Sequence, residues 1–245
     1  AAELDEQAQC MPGLLATVDA DLSAAEAAFA AGDNGTMLRF NGTTWTAMSF
    51  PSTASVYGLW GSSGSNVFAV TAAGEVIRYN GSSWAVMTTA GSALWAIHGS
   101  SPTDIVATGE NGTALRFNGT GWSAITVNTT GTLAGVWSSG TGATSVGAAA
   151  SGSSGVAFSF SGTSWSSFST GSSRVLTSVW GPSASDLYAT GEQGTLLRFN
   201  GSSWSALTTG TTDLLWSVTG APSGLGQQFA KTLAAAGCEI GRAHV

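Results

Sequence analysis

The side chains of this chain that could do chemistry are few, and most of them recur at fixed intervals. Asp33, Glu110 and Glu192 each sit in a short turn, written Gly-Asp-Asn-Gly, Gly-Glu-Asn-Gly and Gly-Glu-Gln-Gly. Carboxylates repeated in this way could bind a cation or a basic partner, although acidic residues also simply suit exposed turns. No Asp-x-Asp-x-Asp-Gly loop points to calcium. Arg39, Arg78, Arg116 and Arg198 each precede an aromatic residue and an Asn-Gly pair. They would form an electropositive ring for anions or, as the structural reading expects, stack on an indole or hold turn carbonyls. Asp104 and Asp186, with Asn66 in the same register, read as side chains capping their own turns.

Catalysis finds little to work with. Apart from His244, His98 is the only histidine, so neither a His-based triad nor a multi-His metal site can be assembled. A two-carboxylate glycosidase would need two acids converging on one bond, whereas the acids here come from equivalent turns. No Gly-rich phosphate loop lies between a strand and a helix. The departures from regularity could mark a binding patch, and drift of the repeat explains them equally well. His98 stands where the neighbouring units have Trp, Trp95 lies three positions earlier, and Arg174 is the one basic residue between units. No metal or cofactor is expected.

The elements that carry these residues follow from the tryptophans. Trp45, Trp84, Trp122, Trp165 and Trp204 follow Asn-Gly-x-x or a close variant, at spacings of 39, 38, 43 and 39 residues. Trp60, Trp95, Trp137, Trp180 and Trp216 lie where each next unit opens. A period near 40 residues signals a stacked or ring-like repeat. The clearest copy, residues 176–207, splits into four short apolar runs separated by Gly, Pro, Ser and Asn, which predicts four antiparallel strands. Four strands per unit of this length is the blade of a β-propeller. Asn41-Gly42, Asn80-Gly81, Asn118-Gly119 and Asn200-Gly201 predict type I′ turns between the last two strands, with Leu38 facing Trp45 and Phe40 on the same face.

The expected fold is therefore all-β, with five four-stranded blades and a partial sixth in an open or truncated ring. Residues 1–13 form a lead-in, and the units span about 14–53, 54–91, 92–131, 132–172 and 173–210. A sixth unit starts at 211–220 and stays truncated through 221–238. Leu15-Ala-Thr-Val-Asp19 would be a worn first strand. Ser23-Ala-Ala-Glu26 could open a helix, but the repeat register makes that stretch a strand. The fourth unit is longer, through Gly140 to Gly155, and has Ser159 where the others have Arg. Residues 227–236 are open between a strand and a short helix. Residues 239–245 resemble the translation of a sequencing adapter and read as an artefact, the natural protein continuing past Cys238.

Composition narrows the function. Charged residues make up 9% of the 245, against a usual quarter, and the formal net charge is −7. Four of the seven basic residues belong to the repeat, so no basic stripe remains for nucleic acid or an anionic membrane surface. No apolar run is long enough to span a bilayer. A Ser/Thr/Gly/Asn-covered surface favours an extracellular, cell-surface or periplasmic monomer. Cys10 and Cys238, the only cysteines, flank the repeats and could staple a ring in an oxidising compartment. The seven Asn-x-Ser/Thr sequons are mostly the repeat's own turns.

The unit Leu-x-x-Val-Trp-Gly…Asp-x-x-Ala-x-Gly-x-x-Gly-Thr-x-x-Arg-Phe-Asn-Gly-x-x-Trp resembles the tandem propeller repeats of myxobacterial surface proteins. It is also similar to BNR or Asp-box propellers, of the photosystem II assembly-factor and sialidase types. The resemblance covers roughly residues 14–220. Leu38 and Phe40 stand where an Asp box has Ser and Asp, so the hairpin is shared and the box is not. The resemblance implies a non-catalytic scaffold that binds an unknown protein or glycan. It also leaves open a sialidase-like hydrolase or lyase, or a spacer in a larger surface protein. Fold-level likeness alone does not choose among these.

Overall fold

The computed structural model describes residues 28–139, 146–151, 155–160 and 165–219. The expected lead-in, the strand at 15–19, the capping box at 23–26, both cysteines, most of the long loop in unit four and the segment 227–236 lie outside them. So does the suspected artefact at 239–245.

The described chain folds into five antiparallel sheets, each a simple meander. The first has three strands, β1 (Ala28–Ala31), β2 (Met37–Phe40) and β3 (Trp45–Ala47). The second joins β4 (Val56–Ser63), β5 (Asn66–Thr71), β6 (Glu75–Tyr79) and β7 (Trp84–Thr89). The third joins β8 (Leu94–Ser101), β9 (Asp104–Gly109), β10 (Ala114–Phe117) and β11 (Trp122–Ala124). The fourth holds β12 (Leu133–Ser139), β13 (Val146–Ser151), β14 (Val156–Phe160) and β15 (Trp165–Ser169). The fifth holds β16 (Leu176–Ser183), β17 (Asp186–Gly191), β18 (Leu196–Phe199) and β19 (Trp204–Leu207). Ala28–Ala31 is a strand, as the repeat register requires. Strand β4 lies against β8, β8 against β12, and β12 against β16, so the first strand of each blade is innermost.

The core lies between blades rather than within one. In β5, Val67 and Ala69 point to one face, Phe68 and Val70 to the other, and all four are buried. A strand covered on both faces reads as a continuous apolar run, which explains the Val-Phe-Ala-Val sequence. Val67, Ala69, Ile77, Tyr79 and Trp84 of blade two pack on Phe29, Ala31 and Met37 of blade one. On its other side, Phe68, Val70 and Val76 receive Ile105, Leu115, Phe117 and Trp122 of blade three. Each blade thus has a trailing face toward the blade before it and a leading face toward the one after. Close approach is enforced where the innermost strands meet. A Cβ on Gly99 would lie 2.6 Å from the Trp60 indole of the preceding blade, so only glycine fits there.

The hairpin between the last two strands differs from the expected one in two ways. Residues 41–44 close it as a four-residue segment, with the Asn41 N–H donating to the Thr44 carbonyl. Only Gly42 takes positive φ, at 98°, and not Asn41, so the turn is not type I′. The Asn41 side-chain oxygen instead accepts from the N–H groups of Thr43 and Thr44 at 3.0 and 2.9 Å. Asn80, Asn118 and Asn200 repeat this. In this register Phe40, not Leu38, stands opposite Trp45, with ring centroids 5.3 Å apart.

The repeat arginines are a second correction. Arg78 Nε donates to Asn66 Oδ1, Arg116 Nε to Asp104 Oδ1 and Arg198 Nε to Asp186 Oδ1, each at 2.8 Å. The acceptor lies 12 residues earlier every time, at the start of the second strand. These side chains therefore hold the arginine across the sheet, and Asn66 and Asp104 also bond within their own turns, to the Ser62 and Ser100 hydroxyls at 2.7 and 3.2 Å. Two of the arginines stack over the second-strand aromatic directly opposite, Arg78 over Phe68 and Arg198 over Tyr188. Arg78 lies 5.4 Å from the Phe68 ring centre and Arg198 5.7 Å from that of Tyr188. Directly opposed and diagonal neighbours on one face of an antiparallel pair are within reach of a long side chain. Blade four has Ser159 in place of the arginine and no Asp or Asn in β13. Arg39 Nη1 donates to the Tyr79 hydroxyl of blade two at 3.5 Å.

Candidate functional site

Pairing of the first two strands brings the start of each innermost strand to the turn between the second and third strands. Both therefore meet at one end of the blade stack. Asp33 and Glu110 open single 3-10 turns at that end, with Asn34 and Asn111 at φ 55°. The glycine that follows is needed. Gly112 has φ +67°, and a Cβ there would lie 2.0 Å from the Thr129 carbonyl oxygen in the link to the next blade. Gln193 and Gly194 repeat the geometry beside Glu192. These turns are then bonded to the interblade links: Val56 N–H donates to the Gly32 carbonyl, Gly112 N–H to Gly131, and Gly194 N–H to Asp213.

Near its start, each innermost strand leaves its second residue out of the ladder. Between Val56 and Gly58, Leu94 and Ala96, Leu133 and Gly135, and Leu176 and Ser178 the register shifts by one residue. The bulged residues are Tyr57, Trp95, Ala134 and Thr177. A bulge re-aims its side chain away from the regular alternation. Tyr57 and Trp95, from adjacent blades, stack at 4.6 Å between centroids and 19° between planes. They remain 39% and 37% exposed. Trp216 occupies the same position in the next unit and is 73% exposed.

The acids stand beside this pair. Asp33 Oδ1 accepts from Ser55 Oγ at 2.8 Å, two residues before Tyr57. Glu110 N–H donates to the Ala93 carbonyl at 2.9 Å, two residues before Trp95. Glu75 accepts from the hydroxyls of Ser52 and Thr71, and Asp213 accepts from Thr211. With Glu192 these make five carboxylates at one end among the described residues, against Arg174 alone, which is exposed in the link before β16. The opposite end holds Arg39, Arg78, Arg116 and Arg198 against Asp104 and Asp186. The charges of the described residues are therefore segregated along the axis of the stack.

His98 does not join this surface. It is the fifth residue of its innermost strand and turns into the interface between blades three and four. Ser138 N–H donates to His98 Nδ1 at 3.0 Å, and the Ser138 hydroxyl lies 3.1 Å from the same nitrogen. Accepting the amide proton fixes Nδ1 as the unprotonated nitrogen. Burial pushes the His98 pKa down to about 4. The structure thus brings Asp33, Glu110, Glu192, Trp95 and Arg174 to one end and places His98 in a blade interface. Tyr57, Glu75 and Asp213 complete the surface and were not singled out by sequence. The signal for Tyr57 is its register, one residue after Val56 as Trp95 follows Leu94.

No protein-family model and no curated protein matches the chain. Solved structures do. YCF48 bound to a D1 peptide superposes with a TM-score of 0.61 at 16% identity, covering 80% of this chain and 67% of that one. YCF48 from Cyanidioschyzon merolae gives 0.60 at 14%, covering 82% and 75%. Sqt1 of Chaetomium thermophilum gives 0.60 at 11%, covering 77% of this chain and 57% of its own length. The fold is a β-propeller. Identities this low speak of the fold alone.

Proposed function

We propose that this propeller is a non-catalytic interaction scaffold that takes a basic, extended segment of a partner protein across its acidic end. The observation that carries the reading is the exposed Tyr57–Trp95 stack with Asp33 and Glu110 bound to the chain two residues before it. Aromatic rings and carboxylates together suit Lys and Arg side chains, through cation–π contact and charge. The peptide-bound YCF48 supports the idea that a propeller of this shape can hold a peptide. A scaffold reading also fits the groups that catalysis would need. Asp104 and Asp186 are bound to arginines, and His98 Nδ1 accepts from Ser138. The surface, poor in charge, supports an extracellular, cell-surface or periplasmic setting and a monomeric scaffold.

The test is a fluorescence-anisotropy titration with labelled peptides of equal length, one rich in Lys and Arg and one rich in Glu, alongside a glycan array. Binding of the basic peptide should weaken as salt rises. It should fall at least about tenfold in W95A and in the D33N/E110Q double variant, in line with removal of a central aromatic anchor. Equal affinity for both peptides, or a glycan ligand lost in W95A, would refute the basic-peptide reading.

A further inference from the structure

The chain's own arginines show what a ring and an acceptor set two residues apart can hold. In β5, Asn66 Oδ1 accepts from Arg78 Nε at 2.8 Å, and the same guanidinium lies over Phe68. In β17, Asp186 Oδ1 accepts from Arg198 Nε at 2.8 Å, and that guanidinium lies over Tyr188. In both strands the acceptor stands two residues before the ring, on the same face. A guanidinium satisfies both partners at once because it is flat and carries its donors in one plane.

The acidic end holds two of these three ingredients. Ser55 donates to Asp33 Oδ1 and stands two residues before Tyr57. The Ala93 carbonyl accepts from the Glu110 N–H and stands two residues before Trp95. The two rings stack on each other and stay exposed. Among the described residues neither ring has a cation over it, and the Glu110 carboxylate has no partner. Arg174, the one basic residue described at this end, lies in the link before β16, two blades on from Trp95. The bulge positions of blades four and five are Ala134 and Thr177, so no ring stands on that side.

We infer that the missing ingredient is an arginine of the partner, its guanidinium flat against the Tyr57–Trp95 stack and its N–H groups donated to Asp33 and Glu110. This names the anchor of the basic segment and rests on the scaffold reading above. A lysine would answer the charge alone. Its ammonium is a compact point charge, which cannot lie along a ring and fork to a carboxylate together. With rings only on blades two and three, the surface has one such anchor point.

The test is an anisotropy titration of the full chain with three labelled peptides of one sequence, whose basic positions are all arginine, all lysine or all citrulline. Citrulline keeps the planar shape and loses the charge. The arginine peptide should bind at least about tenfold tighter than the lysine peptide, and the citrulline peptide should not saturate. W95F should keep the preference for arginine, while W95L and Y57L should bring the two affinities together. In proton NMR, the δ-methylene signals of one bound arginine should move upfield under the ring current, and W95L should abolish the shift. Equal binding of the arginine and lysine peptides by wild type would overturn this inference and leave the basic-peptide reading standing. Binding of neither would overturn both. Citrulline binding as tight as arginine, or a preference unchanged in W95L and Y57L, would also overturn the arginine anchor.

Discussion

Among the described residues the same ion pair is built twice, in blades three and five, and the two copies differ most in how far they are covered. Arg116 and Asp104 meet at 2.8 Å with side chains 17% and 4% exposed, and Arg198 and Asp186 meet at the same distance with 47% and 30% exposed. The local sequence is the same in kind, as is the 12-residue offset. Blade three has blade four over its leading face, while on the leading face of blade five Tyr188 and Leu196 are only half-buried and Arg198 is exposed. The hydrogen bond and charge of Asp186 still raise the Arg198 pKa above its ordinary value, but in solvent that attraction does little for stability. A blade therefore supplies the geometry, and its neighbour sets how much that geometry is worth.

Four measurements would break or sharpen this contrast. The largest effect is expected at the hairpin tryptophans. Trp84 packs on Phe29 and Phe50 of the preceding blade, so Trp84→Ala should cost about 4 kcal/mol in urea unfolding. Trp45→Ala should cost much less, and equal losses would show that blades are stabilised from within. Next, Asp104→Ala removes a buried carboxylate from Arg116 and should cost about 3 kcal/mol. Asp186→Ala should leave the melt unchanged within error, and a matched loss there would contradict the role given to the covering blade.

The third measurement uses pH. His98 has a folded pKa of about 4, below its ordinary 6.5. The fold therefore favours the neutral ring, and its contribution is complete above pH 6.5. It is lost as pH falls from 6.5 through 4, by at most about 3 kcal/mol. His98→Gln should flatten stability against pH in this window, and a slope unchanged from wild type would remove His98 as its cause. The smallest effect concerns the hairpin cap. Asn118→Ala and Asn200→Ala should each cost about 1 kcal/mol and should match, because both turns are exposed. Unequal losses would mean that neighbouring blades reach even this edge.

Much of the architecture was legible because the repeat prints it. The Gly, Asn and Ser punctuation marks the strand ends, and the Trp spacing sets the unit. The arginine pairing was not legible in the same way. Asp104 and Asp186 look like turn residues locally, and only the antiparallel register between the second and third strands brings them to Arg116 and Arg198. The hairpin was misread for a related reason. Asn-Gly suggests a type I′ turn, but the two following residues, Thr43 and Thr44, offer amides to the Asn41 side chain and move the turn forward by one. At the candidate site, Asp33, Glu110, Glu192 and Trp95 were visible as repeat turns and departures. Tyr57 has only a faint signal, following Val56 as Trp95 follows Leu94, and the register shift after Val56 is what sets it apart.

The bulge has a consequence for how such a protein can change. Near the start of β4, β8, β12 and β16 it exempts one residue from the ladder, at the same end of each blade. Tyr57, Trp95, Ala134 and Thr177 fill that position with four different chemistries, while the flanking Val or Leu and the strand pairing stay constant. Substitution there leaves the strand ladder in place, although the Thr177 hydroxyl also binds the Leu215 carbonyl and Tyr57 and Trp95 stack on each other. If the proposed partner binds at this end, its contacts can change through these few side chains while the scaffold holds still.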